Sequence, residues 1–248
     1  MAADYEQLIE HLPEHLAERA RCVEHRAKSR GGEFVLYWLH HALRAHENPA
    51  LDVSLSISNE LGIPLLVYQA IPEHREFASD RHHAFVLQGA RHLQEQFCER
   101  GIQYAFHLQR RGHRDPYLRH LGDRAAVIVT EEMPVDPVRS WTNKLASTCD
   151  APTLCVDTAC VVPMRLVGKA YERAFQFRKA TQSLYDERVG RKWIDIPPLQ
   201  EQSTLDLPFD PLSLSQCNLA SLIAECEIDH CVAPVPHTCG GSAAGYSR

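Results

Sequence analysis

Five short apolar runs, separated by stretches of helical character, constrain the fold of this 248-residue chain more than any other feature. Each run is apolar enough for both faces of a strand to be buried, which is typical of parallel sheets covered by helices. The alternation predicts an α/β fold with an open, doubly wound, five-stranded parallel sheet of Rossmann-like type. The runs lie at Phe34–Leu39, Pro64–Ile71, Ile102–Leu108, Ala125–Thr130 and Thr153–Val156.

Helices are predicted between these strands. Gly62 and Gly101 each stand between a helical stretch and the next apolar run, which is the usual position of a helix-terminating glycine. Asn48 and Pro49 are predicted to start the helix that follows the first strand. The predicted helices are Leu51–Leu61, His82–Arg100, Asp115–Leu121 and Asp136–Ser147.

The pattern changes outside residues 31–160, the predicted α/β domain. Residues 1–30 are predicted to form an N-terminal helix, because apolar residues recur at helical spacing between charged ones. Residues 161–231 form a predicted helical and Pro-rich connector, with helices expected at Lys169–Arg188 and at 216–229. Residues 232–248 have the composition of a mobile, dispensable linker.

Composition excludes several classes of protein. A hydrophobic fraction of 44% with a net charge of −6 is ordinary for a globular chain and gives no general attraction to nucleic acid. The basic run at 109–114 is a solvated loop or a phosphate contact. No apolar run approaches the ~18 residues of a membrane span, so a soluble, cytoplasmic protein without a membrane partner is expected.

The cysteines and histidines do not follow the spacing of known metal sites. Nine cysteines in a chain of cytosolic type predict thiols rather than disulfides. The pairs His40-His41 and His82-His83 lack a carboxylate at the spacing of helical zinc motifs. We therefore expect no metal site and no catalytic residue. The same holds for the group near the carboxyl terminus, which comprises Cys226, His230, Cys231, His237 and Cys239.

Polar and aromatic side chains gather where the first and fourth strands are predicted to end. Open parallel sheets bind ligands outside the carboxyl ends of their strands, at the point where strand order reverses. Packing at the strand ends is the alternative, with Glu131-Glu132 as solvated loop charge and Arg44 paired with Glu47 or with another domain. The candidate ligand crevice comprises Trp38, Leu39, His40, Thr130 and Glu131.

Several segments resemble the DNA photolyase/cryptochrome family, in the same order along the chain. Glu33–Leu51 resembles the family's first strand and loop, and its Tyr37-Trp38 pair and Arg44–Asn48 are closest to the class II branch. Further similar segments are Leu61–Tyr68, Arg81–Gly89, Glu99–Ile102, Val161–Pro163 and Lys169–Glu172.

The resemblance implies a photolyase-type α/β domain that seats an antenna chromophore such as a deazaflavin or a reduced folate. In the family, FAD and the lesion pocket belong to a helical domain, which is expected to be missing here. Light-driven reversal of cyclobutane pyrimidine dimers in damaged DNA, the reaction of a deoxyribodipyrimidine photo-lyase, would require that domain as a partner. The chain alone is predicted to be inactive. A stand-alone small-molecule or nucleotide-binding module, and a non-catalytic remnant, are the alternatives.

Overall fold

A computed structural model describes residues 5–23, 31–200 and 203–248. In this described part a six-stranded sheet forms the centre. Its strands are β1 (Ala20–Cys22), β2 (Phe34–Trp38), β3 (Leu65–Ile71), β4 (Gln103–Leu108), β5 (Ala125–Glu131) and β6 (Thr153–Val156). They lie in the order β1-β6-β5-β2-β3-β4. All neighbouring strands run parallel except β1, which is antiparallel to β6. The five predicted parallel strands are confirmed, and β1 adds an edge strand.

Helices cover both faces of this sheet, as a doubly wound fold requires. A 3₁₀ turn lies at Leu214–Gln216. The helices are α1 (Tyr5–Glu10), α2 (Glu14–Ala17), α3 (Pro49–Leu61), α4 (Asp80–Glu99), α5 (Tyr117–Arg124), α6 (Val138–Thr148), α7 (Met164–Val167), α8 (Ala174–Val189), α9 (Leu219–Ala224) and α10 (Ser242–Tyr246).

The N-terminal segment differs from the single helix that was expected. Pro13 separates α1 from α2, because proline has no N–H to donate and its ring clashes with the preceding turn. The chain then becomes extended, and Ala20–Cys22 pairs with Val156–Leu154 of β6. Residues 24–30 of the expected helix lie outside the described residues.

Alternate residues of β2 face opposite halves of the core. Val35 and Tyr37 pack in the cluster on the α3 side. Phe34 and Leu36 pack in the cluster that includes Leu121 of α5. This alternation fixes which side chains at the end of β2 can reach the surface.

The start of α3 follows the sequence prediction. Asn48 Oδ1 accepts hydrogen bonds from the backbone N–H groups of Ala50 (3.1 Å) and Leu51 (3.3 Å), and Pro49 occupies the first helical position. The helix ends at Gly62, whose φ of 65° is readily adopted only by glycine. The loop from β2 is therefore fixed at its far end.

The last residues of the chain contact the α/β domain, and the mobility expected of residues 232–248 stays a prediction. The Gly240 N–H donates to Gln88 Oε1 of α4 at 2.9 Å, and α10 packs on the same helix. A side chain at Gly240 would place its Cβ only 1.9 Å from the carbonyl oxygen of Phe85. The helix expected at 216–229 is also shorter, since α9 spans only Leu219–Ala224. Among the described helices, none has the length and apolarity needed to cross a membrane.

Candidate functional site

The reversal of strand order lies between β2 and β5. The chain passes from β2 to β3 and β4 on one side, whereas β5 and β6 lie on the other. Trp38 at the end of β2 is the register partner of Thr130 in β5. Ligand crevices of doubly wound folds open at this position, so its side chains decide what the site can hold.

The side chain of Glu131 lies where the strand order reverses and is fully buried. Its Oε1 accepts hydrogen bonds from the Tyr37 hydroxyl (2.7 Å) and the Ala42 N–H (3.3 Å). Its Oε2 accepts the His40 N–H at 3.0 Å. The expectation of solvated loop charge is wrong, because β5 extends to Glu131 and the loop after β2 folds over its carboxylate.

The directions of the pKa shifts around Glu131 are consistent with an ionised carboxylate. Burial alone raises the pKa of Glu131, but the His40 and His41 rings and the Tyr37 hydroxyl outweigh it, so this pKa lies below its ordinary value. Burial, together with the Glu131 charge, raises the pKa of Tyr37 well above its ordinary value. Tyr37 is therefore a permanent donor to Glu131. Burial lowers the pKa of His41, which keeps this ring neutral near pH 7.

Four of the five predicted crevice residues meet at this end of the sheet. The Thr130 hydroxyl donates to the Trp38 carbonyl oxygen at 3.0 Å and lies 3.1 Å from His40 Nε2. The half-buried Trp38 ring lies 5.0 Å from the His40 ring, centre to centre. Leu39 is different, because it is fully buried in the core on the α3 side.

Glu132 points away from Glu131, as two neighbouring residues of an extended segment must. Its Oε1 accepts a hydrogen bond from Arg21 Nε of β1 at 2.5 Å. The two adjacent carboxylates thus have separate structural roles and form no acid/base pair.

An open groove of about 550 Å³ lies beside this closed position, where the loops after β2 and β6 meet. Arg44 connects the loops, donating from Nη2 to the Thr158 carbonyl oxygen (2.9 Å) and from Nε to the Glu47 carbonyl oxygen (2.9 Å). The expected Arg44–Glu47 carboxylate pair is therefore replaced by backbone contacts. Residues 158–161 and 188–194 of this groove were not predicted from the sequence. Residues 158–161 follow the end of β6, and this strand end could have identified them.

Trp193 connects the far wall of the groove to α3. Its indole N–H donates to Asp52 Oδ2 at 2.7 Å, and the Ile196 N–H donates to Asp52 Oδ1 at 2.9 Å. Burial raises the pKa of Asp52 to about 6, against the opposing effect of these two donors. Segment 188–196 is thereby held against the first turn of α3.

The groove is cationic although the chain is acidic overall. Five basic side chains and two carboxylates line it, and Trp193 and Ile194 add apolar surface. Arg188 is paired with Glu18 at 2.6 Å and Arg191 with Glu187, so the uncompensated positive charge belongs to Arg19, Arg44 and Lys192. Such a lining favours a planar ligand that carries negative charge. The charged residues are Arg19, Arg44, Arg188, Arg191 and Lys192, with Glu18 and Glu47.

A second groove, of about 890 Å³, runs along α8. Phe175, Phe177 and Tyr185 are exposed there, and Thr181 is the one buried residue of this helix. A helix with several exposed aromatic side chains is typical of a surface that another protein unit covers.

Known proteins with similar sequence or structure agree with this architecture. The family described as DNA photolyase matches residues 35–192. The deoxyribodipyrimidine photo-lyase of Methanothermobacter thermautotrophicus is 29% identical over 156 residues, which are 63% of this chain and 34% of that protein. The chain thus spans about a third of the length of this curated relative.

One solved structure shows the same fold. An archaeal photolyase from Sulfolobus tokodaii, solved with two FAD molecules, aligns with a TM-score of 0.51 at 15% identity, over 86% of this chain and 45% of that one. A class III photolyase from Agrobacterium tumefaciens aligns with a TM-score of 0.48 at 16% identity, over 78% of this chain and 39% of that one. Because the family match covers more than half of its residues, this chain belongs to the DNA photolyase family.

Proposed function

We propose that this chain is the antenna-type α/β domain of a photolyase and seats a light-harvesting chromophore in the groove between the β2 and β6 loops. The observation that carries the proposal is the position and size of this groove. It opens at the carboxyl ends of the strands, and its volume of about 550 Å³ is in the range of small-molecule sites. Trp38, His40, Thr130 and Glu131 lie at the reversal of strand order and are not among the residues that line this groove.

The lining favours a chromophore with carboxylates or phosphates. A reduced folate carries carboxylates that match the Arg and Lys side chains of the groove, whereas the ring of a deazaflavin would rely on Trp193 and Ile194. The Sulfolobus tokodaii photolyase was solved with two FAD molecules that imply a novel light-harvesting cofactor, so FAD is a third ligand to test.

Titration of a reduced folate, a deazaflavin and FAD, followed by ligand fluorescence anisotropy, tests the groove. Ala159 is exposed at the groove and touches no core, so Ala159→Asp adds a negative charge without disturbing the fold. We expect roughly tenfold weaker binding of the anionic ligand in this variant and unchanged binding in Ala159→Ser. Equal affinities of all three proteins, or no binding up to about 1 mM, would reject the site.

We further propose that a helical flavin domain covers the apolar groove of α8, and that both units together repair cyclobutane pyrimidine dimers under light. The exposed Phe175, Phe177 and Tyr185 support this arrangement. Purified chain is expected to carry no stoichiometric flavin and to repair no thymine dimers under blue light. Adding a photolyase helical domain should restore repair, and Phe175→Glu should weaken that restoration. Repair by the chain alone would contradict the proposal.

A further inference from the structure

Two histidines and a buried carboxylate converge where the strand order reverses. One ring nitrogen of His40, one of His41 and a carboxylate oxygen of Glu131 all lie within 4.8 Å of one another. We propose that these three side chains bind a divalent transition-metal ion, with Zn²⁺ as the preferred ion. This site lies beside the chromophore groove, whose lining residue Thr158 contacts His41, and it goes beyond the proposed antenna function.

Two of the three separations between ligand atoms are close to those around one ion, and the third, between the two rings, lies within 4.8 Å. Glu131 Oε2 lies 3.0 Å from His40 Nε2 and 3.7 Å from His41 Nδ1. Zinc bonds of about 2.0–2.2 Å at tetrahedral angles separate neighbouring ligand atoms by roughly 3.4 Å. The observed separations lie on both sides of this value, so small rotations of the two rings would complete the geometry.

The ligand types also suit such an ion. Imidazole nitrogens with one carboxylate oxygen are a common set for zinc and other divalent first-row metals, and they leave further positions for water. Thiolates, which would favour other chemistry, are not part of this cluster.

Supporting contacts hold two of the three ligands in place. Glu131 Oε1 accepts from the Tyr37 hydroxyl (2.7 Å) and the Ala42 N–H (3.3 Å), whereas Oε2 accepts the His40 backbone N–H (3.0 Å) and also faces the two rings. His41 Nε2 lies 3.1 Å from the Thr158 hydroxyl oxygen, so Thr158 can orient this ring while Nδ1 faces the cluster. Partners of this kind, beyond the direct ligands, are regular features of protein metal sites.

Access is possible from one side only. Glu131 is fully buried, whereas the side chains of His40 and His41 keep 14% and 26% of their surface exposed. An ion therefore enters from solvent past the two rings and meets the carboxylate at the base. Bound there, it would connect the end of β5 to the loop that leads into α3.

A second cluster, at Glu73, His74 and Glu227, provides a matched comparison. Glu73 is already committed, since one oxygen accepts from Arg114 and the other accepts the Glu227 N–H at 2.7 Å. A cation would have to compete with the Arg114 guanidinium for this carboxylate. We therefore expect no tight metal binding there.

Titration of the metal-free full chain with Co²⁺ and Zn²⁺ tests the proposal. We expect one Co²⁺ per chain, with visible absorption from nitrogen and oxygen ligands, and displacement by Zn²⁺. His41→Ala should weaken binding at least roughly tenfold, and His74→Ala should leave it unchanged. Zn²⁺ should raise the melting temperature of the wild type and of His74→Ala but not of His41→Ala.

The variants are checked by circular dichroism. Should His41→Ala lose structure, Thr158→Val removes only the supporting contact and is expected to weaken binding by roughly 10–100-fold. Three results would overturn the proposal: no Co²⁺ binding below about 1 mM, equal affinity in wild type and the folded variant, or near-ultraviolet charge-transfer bands from cysteine ligands.

Discussion

Tyr37 donates its hydroxyl hydrogen to Glu131 Oε1 at 2.7 Å, and both side chains are fully buried although 94 residues separate them. The contact joins β2 to β5 at the point where strand order reverses. Because Glu131 also accepts the N–H of His40, this one carboxylate holds the loop that begins at the end of β2. The geometry of the whole site depends on it.

Replacing Tyr37 by phenylalanine removes one donor from a buried charge and leaves the ring in place. We expect a loss of about 1.5–3 kcal/mol in the free energy of unfolding, measured by urea denaturation. Tyr68→Phe is the matched control, because Tyr68 is as buried but its hydroxyl lies 3.4 Å from a histidine nitrogen. Its loss should be about 0.5–1 kcal/mol. Equal losses would show that the charge of Glu131 adds nothing.

Neutralising the adjacent carboxylates of Glu131 and Glu132 should lower the free energy of unfolding by different amounts. Glu131→Gln leaves the buried N–H and O–H donors facing a weaker acceptor, and a loss of about 2 kcal/mol is expected in metal-free buffer. Glu132→Gln affects a pair with Arg21 whose guanidinium side chain is 41% exposed, so at most about 1 kcal/mol should be lost. Denaturant unfolding of both variants measures the two losses in the free energy of unfolding. A larger loss in Glu132→Gln than in Glu131→Gln would contradict the prediction.

Asp52 makes stability depend on pH in a defined direction. Burial raises its pKa from 3.8 to about 6 in the folded chain, so the folded state binds this proton more tightly than the unfolded state. The resulting stabilisation is complete below the unfolded-state pKa and is lost as pH rises through about 6. Relative to Asp52→Asn, the wild type should lose up to about 3 kcal/mol between roughly pH 4 and pH 7. A pH-independent difference between the two proteins would contradict this.

Substitutions at two glycines test the contact between the end of the chain and α4. Gly240→Ala places a methyl group 1.9 Å from the Phe85 carbonyl oxygen, so the contact with α4 must open. Gly245→Ala meets no atom within 4 Å and should leave the contact intact. Limited proteolysis is expected to cleave residues 232–248 faster in Gly240→Ala only. Rapid cleavage in the wild type as well would support the prediction of a mobile linker.

Much of the fold could be predicted because its signals are local. The five parallel strands show as short apolar runs, and Asn48-Pro49 marks the start of α3 by its own capping chemistry. The segments that resemble the photolyase family are also short and contiguous in the sequence. Closeness to the class II branch stays a prediction, as does the choice of chromophore.

The sequence by itself therefore determined the α/β fold class and the family. Apolar periodicity, helix caps and short sequence motifs depend only on residues that are close together in the chain. Tertiary structure decided that Glu131 is buried, that Leu39 faces the core, and that Ala20–Cys22 joins the sheet. It also decided that His40 and His41 meet Glu131 and that residues 188–194 complete the groove. These contacts join residues far apart in the chain, and only the assembled sheet sets their distance and their exposure to water.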